Sequence, residues 1–559
     1  MRTMLYVPIA FFLLHFACPD VGIPSLQAKP TAVSLADYQP VADGTTDDTP
    51  AFQACFRAVG EAGGGVITIP PGDYFYAGTE SIPLYSDLTV FAYGARFHLP
   101  KTLGDRARIR MFSGQNISRF SWLGGEFYGN GFDPARKDNL WEPNVDTRIL
   151  EITTSPEGKT SDLLFRDIRS DGVAGGVVFV TGASKPKSES ETITFAERVS
   201  VKDCVLLRTG PFMWDYGYLW QQIVWPEDYE PWEVERAYRY FRNDLIRENV
   251  MMADGDDRVQ FENEKKPISK TVCFFGDTLP KNVVRGRQYF VVEAASSHVK
   301  ISESPDGPVL KFDGEAGAKT KLIHSVNEAF HHLFAPIGWG KAKGAVDLES
   351  CSGVNMTGCQ LSAIGDTMHI RRCENVVFSG NQILGSRMGA FFIAEFCKNV
   401  TVMGNTVDGT NGSRVMSVEK STEDITIIGN TFRNGGRGSW INQPKNLVLK
   451  GNVFIDNTTK GEKDPRRGRR DFRTGGWEAY PEVYFTLHQP DGKYGPVIVS
   501  DNIFQPGESC SPQAMTFVRN GTHIHIRNNI CIGEERLIKI ESGCTDVEIE
   551  GNKGLVTGH

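Results

Sequence analysis

The sequence predicts an all-β chain wound as a parallel β-helix, and three observations predict it. Asn381, Asn405, Asn430, Asn452, Asn502, Asn529 and Asn552 recur at intervals of 24, 25, 22, 50, 27 and 23 residues. Each sits in a short motif such as VVFSGNQI, VTVMGNTV, ITIIGNTF, LVLKGNVF, VIVSDNIF or VEIEGN, where apolar and polar residues alternate up to the turn. No helical pattern separates one motif from the next, so each repeat reads as strand, turn, strand. Strand-only units at this period signal a solenoid. Asparagines stacked inside its turns would hydrogen-bond from coil to coil and satisfy buried amides along the axis.

The elements follow in chain order. Residues 1–28 read as a secretory signal: Arg2 supplies the positive start, Leu5 to Ala17 the apolar core, and Pro19 to Ala28 a polar, small-residue exit. That places the protein outside the cytoplasm, secreted or periplasmic, with lipid anchoring at Cys18 the less favoured alternative. No later apolar run reaches the roughly 20 residues that span a membrane. Residues 29–209 hold weaker copies of the repeat, LTVFAYGARF, FSWLGGEF, LLFRDIRS and VSVKDCVLL. Residues 210–345 interrupt it with an α/β module. There Trp214, Trp220, Trp225 and Trp232 precede a helical stretch from Glu233 to Glu248, and residues 256–313 then turn to a small antiparallel β module. Asp254, Asp256 and Asp257 at its start read as a charged turn in preference to a metal site. Residues 346–559 carry the regular coils.

Composition narrows the function classes. The 559 residues are 40% hydrophobic and 23% charged with a net charge of −8, which suits a soluble protein with ample core and argues against general nucleic-acid binding. Cys351, Cys373 and Cys397 open the same phase of three repeats. In-register neighbours hold side chains parallel, so these read as a buried thiol ladder and not as bridges. Neither a CxxC pair nor zinc spacing occurs.

The segment ADGTTDDTPAFQACFRAVGEAGGGVITIPPGDYFYA (42–77) resembles the opening of the pectate lyase superfamily of right-handed parallel β-helices. Its own chemistry agrees: Asp47 and Asp48 are cap candidates, Pro50 suits a first helical turn, Ala51 to Ala62 are amphipathic, and Gly63-Gly64-Gly65 ends the helix. The resemblance implies a pectin-lyase-like solenoid whose N-terminal helix caps the open end. It also implies a range of activities, since such chains include pectate lyases, rhamnogalacturonases and other polysaccharide hydrolases, and tailspikes that bind or trim glycans. The paired-Asp and Gly-His-Gly signatures of polygalacturonases are not visible. The stretch YFVVEAASSHVKISESPDGPVLKF looks like small β modules of tail-fibre and surface glycan proteins.

Chemistry is expected where polar residues of successive coils stack on one outer face. Aligning the coil segments DTMHIRR, GAFFIAEF, RVMSVEKS and GSWINQP on the start of the next repeat puts Arg371, Glu395, Lys420 and Asn442 in one column. Arg372 and Gln443 flank it, His369 and Trp440 lie two residues earlier, and Arg387, Arg414 and Arg437 crowd the preceding turns. A salt-bridge ladder would explain this column, and so would a groove for an anionic polysaccharide, because planar guanidinium groups suit carboxylates and sulfates. In a β-elimination, Arg371 and Arg437 would neutralise the uronate and Lys420 would be the base. Glu395 or Glu419 could instead hold Ca²⁺. A glycoside hydrolase would draw its two carboxyl groups from Asp366, Glu395 and Glu419. Asp366 lies in IGDTMHI, which looks like the Gly-Asp-Asp coils of some β-helix glycosidases, with Thr367 in place of the second Asp. The run KGEKDPRRGRRDFRTGGWEAY, with five arginines, Phe472 and Trp477, could close over an acidic glycan, followed by Tyr480, Tyr484 and His488. On charge grounds elimination leads. A non-catalytic glycan-binding surface protein remains the third reading; trimerisation would go with it, and a monomer with the enzyme readings.

Overall fold

The computed structural model describes residues 31–100 apart from 79, 109–129, 147–183 apart from 174, 192–209, and 344–558 apart from 364–366, 386–388, 410–413, 460–479, 488–491 and 509. Residues 246–324 are also described, apart from 263–267, 269–270, 277, 286, 288 and 305–306. The aromatic-rich stretch 210–245 and the run of arginines at 466–473 lie outside these residues, as does the signal-like segment.

Three long parallel sheets carry the described chain. Sheet 1 has 14 strands, from Thr31–Ser34 to Thr545–Glu550; sheet 2 has 13, from Asp43–Asp47 to Ile530–Cys531; and sheet 3 has 13, from Ile82–Pro83 to Leu555–Gly558. Within each sheet the strand order follows the chain, so each coil adds one strand to every sheet. That is a parallel β-helix. Alternation decides what faces inward: Val400 and Val402 lie in the core, while Lys398, Asn399 and Met403 of the same strand are exposed. The core stacks like on like, and Phe432, Phe454 and Phe504 lie ring on ring at 5.2 and 5.1 Å.

The chain leaves the solenoid after one coil and returns to the next. Strand Val205–Thr209 pairs with Gln360–Ala363, and Gly175–Thr181 pairs with Val346–Glu349. Between these, residues 246–324 form a separate six-stranded antiparallel sheet with its own core around Tyr289, Phe274 and Val299. Coil-to-coil pairing therefore passes this sheet without a missing rung.

The helix Thr49–Glu61 buries Phe52, Cys55, Phe56 and Val59 against the first coils, where Phe52 meets Tyr74, Phe97 and Phe112. Asp48 stands at the N-cap but makes no side-chain cap bond. Its carboxylate accepts the backbone N–H groups of Val41, at 2.7 Å, and Ala42, at 3.2 Å, while Asp47 accepts those of Thr49 and Ala77. The paired aspartates thus tie the entry loop to the coil, and the cap expected of Asp48 is replaced by that tie.

The asparagine ladder is present as the spacing implied. Asn381, Asn405, Asn430, Asn452, Asn502 and Asn529 each donate their backbone N–H to the side-chain oxygen of the next asparagine at 2.9–3.0 Å. Their side-chain amides donate to the same oxygen and to a core-strand carbonyl, as Asn430 does to Val402 at 3.0 Å. Gly429 precedes Asn430 with φ +64°, a left-handed turn that glycine adopts without strain. Cys351, Cys373 and Cys397 are buried free thiols, the first two donating to carbonyls of the preceding coil or two residues back in their own coil. Replacing one rung by alanine, Asn430→Ala, orphans two buried donors of Asn405. A loss of about 2–4 kcal/mol is expected in denaturant unfolding, against little change for Asn399→Ala on the exposed face.

Candidate functional site

Sheet 3 differs from the other two. Its inward residues Leu348, Ile370, Ile393, Val418, Ile441 and Phe485 belong to the core, so their neighbours in the strands point outward. Yet strands Val346–Glu349, Phe391–Ala394 and Met416–Val418 are buried at every position. The outer face of sheet 3 therefore buries polar and charged side chains, whereas sheets 1 and 2 show ordinary in-and-out alternation.

Register sets two outward columns. One runs Glu151, Phe179, Asp347, His369, Phe392, Ser417, Trp440, Tyr484. The other runs Thr181, Glu349, Arg371, Ala394 and, after the turn-bound Glu419, Asn442 and Thr486. This corrects the single column expected from the sequence, because Arg371 pairs with Ala394 and not with Glu395. The cause is turn length. Arg371 and Ala394 are 23 positions apart, but Glu374 and Lys398, which open the following strands, are 24 apart. The coil of Glu395 thus holds one extra turn residue, and the coil of Lys420 keeps it. The next coil loses it, since Val418 and Ile441 are 23 apart while Glu423 and Lys445 are 22 apart. Arg372, Glu395 and Lys420 meet in these turns, beyond the ends of the strands.

The side chains form an alternating chain of charge. Arg371 bonds Glu349, Arg372 reaches Glu349 at 3.2 Å and Glu395 at 2.9 Å, and Lys420 Nζ lies 2.6 Å from the other oxygen of Glu395. Side-chain exposure rises along it, from 4% at Glu349 to 22% at Glu395 and 39% at Lys420. Burial alone would raise the Glu395 carboxyl, but the Lys420 hydrogen bond and the charges of Lys420, Arg372 and Arg371 outweigh it and hold it below the ordinary glutamate value. Both oxygens of Glu395 are engaged by cations, so a Ca²⁺ ion there would have to compete with Lys420 and Arg372. Among the described residues no cluster of three or more His, Cys, Asp or Glu could hold a metal.

Two further groups share the face. His369 Nδ1 lies 3.0 Å from Asp347 Oδ1, both side chains at most 3% exposed, with the imidazole against Phe392. Upstream, Arg148 lies 4.2 Å over the Phe179 ring and pairs with Glu151, which also takes Arg110 at 3.1 Å. Downstream, Arg414 lies 4.5 Å over Trp440, and Arg437 lies 5.1 Å over Tyr480. Trp440 Nε1 and Asn442 Nδ2 both donate to Thr486 Oγ1, at 2.7 and 2.9 Å. Asp366, Arg387, Trp477 and His488 fall outside the described residues.

Sequence reasoning missed Asp347, Glu349, Arg148 and Glu151. The segment AVDLE does alternate apolar and charged residues, whereas RILEI breaks the alternation with Ile149 and Leu150 side by side. They lie before the asparagine-bearing repeats, so no period marked the charged positions as neighbours.

Residues 338–463 match the family model of the right-handed β-helix region. The solenoid is a right-handed parallel β-helix. A sequence search of the curated proteins finds no match. Among solved structures, this β-helix is similar to the A-module of the Azotobacter vinelandii mannuronan C-5 epimerase AlgE6, at 12% identity and TM-score 0.47 over 94% of this chain and 99% of that one. It is also similar to a hyperthermoactive exopolygalacturonase from Thermotoga maritima, at 11% identity and TM-score 0.40 over 95% and 93%. Tailspike protein 3 of bacteriophage CBA120 aligns at 11% identity and TM-score 0.43 over 93% of this chain and 61% of that one. No helix among the described residues of the β-helix is long and apolar enough to cross a membrane.

The lowered Glu395 carboxyl has a pH signature. Its folded-state value lies below the unfolded one, so its stabilisation is complete above the unfolded value, about 4.3, and disappears as pH falls through the folded value. The melting-temperature gap between the wild type and Glu395→Gln should therefore be constant from about pH 6 to 8 and shrink below about pH 4. A gap that grows on acidification would contradict the ion-paired carboxylate.

Proposed function

We propose that the protein is an exported enzyme that acts on an acidic polysaccharide by β-elimination, with the outer face of sheet 3 as its site. One observation carries the reading: Arg148, Glu151, Asp347, Glu349 and His369 are each at most 3% exposed and share that face, with Arg372, 9% exposed, in the adjoining turn. Buried ion pairs contribute little net stability, because desolvation offsets their attraction, whereas active sites concentrate such groups.

Elimination asks for a cation at the uronate carboxylate and a base at C5. Arg371 is the partly exposed cation two residues along the strand from His369, about 7 Å at strand rise. We assign the base to His369. With Nδ1–H donated to Asp347, the tautomer is fixed and Nε2 becomes the proton acceptor. Removal of the C5 proton forms the C4–C5 double bond as the C4–O bond breaks, and the leaving oxygen takes up a proton. Lys420, the sequence's candidate for the base, has its Nζ engaged by Glu395 at 2.6 Å and lies in a turn beyond the strands. We therefore assign it to binding acidic groups of the glycan. A hydrolase would need a protonated carboxyl, and Glu395, kept ionised by its two cations, does not supply one.

The test incubates the protein with a panel of uronate and sulfated polysaccharides and follows reducing ends together with the ultraviolet absorbance of unsaturated products. Both signals should rise for at least one uronate polymer. His369→Gln should lower kcat about 10²–10⁴-fold, and Lys420→Met should raise KM several-fold with kcat largely kept. Reducing ends without absorbance would refute elimination, and full activity in His369→Gln would refute the assigned base.

A further inference from the structure

Beyond the charged chain, the same face holds an uncharged polar pair whose hydrogen bonding is incomplete. Asn442 is 3% exposed, and its Nδ2 donates to Thr486 Oγ1, but its side-chain oxygen is buried with no hydrogen-bond partner among the described residues. Leaving a buried acceptor unpaired costs roughly 1–3 kcal/mol, so such an atom calls for an explanation. Thr486 Oγ1 accepts from both Asn442 and Trp440, which occupies its lone pairs and leaves its hydroxyl hydrogen to donate outward. The pair thus presents one acceptor and one donor on adjacent strands, beside the half-buried rings of Trp440 and Tyr484.

We infer that Asn442 and Thr486 form a subsite for a neutral sugar that offers vicinal hydroxyl groups. The inference rests on reading this face as a glycan site, and it adds the nature of the neighbouring sugar. A carbonyl oxygen such as that of Asn442 repels carboxylate and sulfate and accepts from a hydroxyl. Asn442 lies on the coil after Lys420, one strand spacing of about 4.8 Å along the axis, which is close to one sugar length. The charged chain and the neutral pair therefore read successive residues of one glycan. The substrate class that fits both is a polysaccharide in which a uronate is followed by an uncharged sugar, and not a homopolymer of uronate.

Titration calorimetry with two probes tests this: a tetrasaccharide of alternating glucuronate and 4-linked glucose, whose adjacent 2- and 3-hydroxyls are free, and tetragalacturonate. Each is titrated into the full chain and into Asn442→Leu, Thr486→Val and Lys420→Met. Expected is tighter binding of the alternating probe, about tenfold weakened by Asn442→Leu and by Thr486→Val, with less than about twofold change for tetragalacturonate. Thr486 is only half-buried, so its variant answers even where Asn442→Leu disturbs packing. Equal losses on both probes, or none on either, would overturn the neutral subsite; if Lys420→Met still weakened binding, the glycan face itself would stand. Binding of neither probe, or no effect of Lys420→Met, would overturn the face and the subsite together.

Discussion

Coil-on-coil registration is the constraint on which everything else in this molecule depends. Every outward column on sheet 3 exists because each coil sits one strand spacing from the last without slipping. The asparagine ladder enforces this in the C-terminal coils. Each buried Asn oxygen accepts both the backbone N–H and the side-chain amide of its predecessor, as Asn452 does for Asn430. A slip by one residue would strand several amides in the core at once, and would also turn the apolar set outward. At the N-terminal end of the column Cys359 takes the place of an asparagine and donates its N–H to Asn381.

This explains why the fold was legible in the sequence and the site only partly so. The Gly-Asn turns and the apolar alternation around Asn381 to Asn552 are period-locked, since each rung needs the next. The 42–77 segment was equally readable as a helix, because Pro50, the buried Phe52 and Phe56, and Gly63 to Gly65 act locally. The role of Asp48 was not readable, since its partners are backbone N–H groups of the entry loop, Val41 and Ala42, and of the strand end at Phe75, which only folding brings together. Glu395 and Lys420 were found because they lie within regular repeats. Asp347 and Glu349 were not, for their strand pairs back to Gly175–Thr181 across more than 160 positions of sequence. Only the pairing of coils across the intervening sheet makes those residues neighbours of Phe179 and Thr181.

The outer face of sheet 3 is where local preference and burial disagree. Elsewhere outward positions hold exposed pairs such as Lys398 with Glu423, which cost little and contribute little. On sheet 3 the carboxylates of Glu151, Asp347 and Glu349 are almost fully buried and each is met by a cation or an imidazole. A chain selected for stability alone would place valine or threonine there. Conflict of this kind, confined to one face and continuous over many coils, is the ground on which the proposed site is preferred to a structural ladder.

The turns show how such a site can be built without disturbing the solenoid. Adding one residue between sheets 3 and 1 leaves the inward columns in phase on both sides, and the corner is left-handed with or without it, as at Arg372 (φ +54°) and Gln443 (φ +51°) in coils that lack it. In the coil of Glu395 that corner is Phe396, with φ +59°. In the coil of Lys420 two consecutive non-glycine residues, Lys420 at +47° and Ser421 at +56°, take it up. Left-handed backbone costs roughly 1–2 kcal/mol for a residue that carries a Cβ. The strain at Lys420 is offset in place by its bond to Glu395, itself supplied by the extra residue one coil earlier. The two insertions are therefore coupled. Each positions a charge that compensates the other, while the strands that carry His369, Arg371 and Asn442 keep the register of the core.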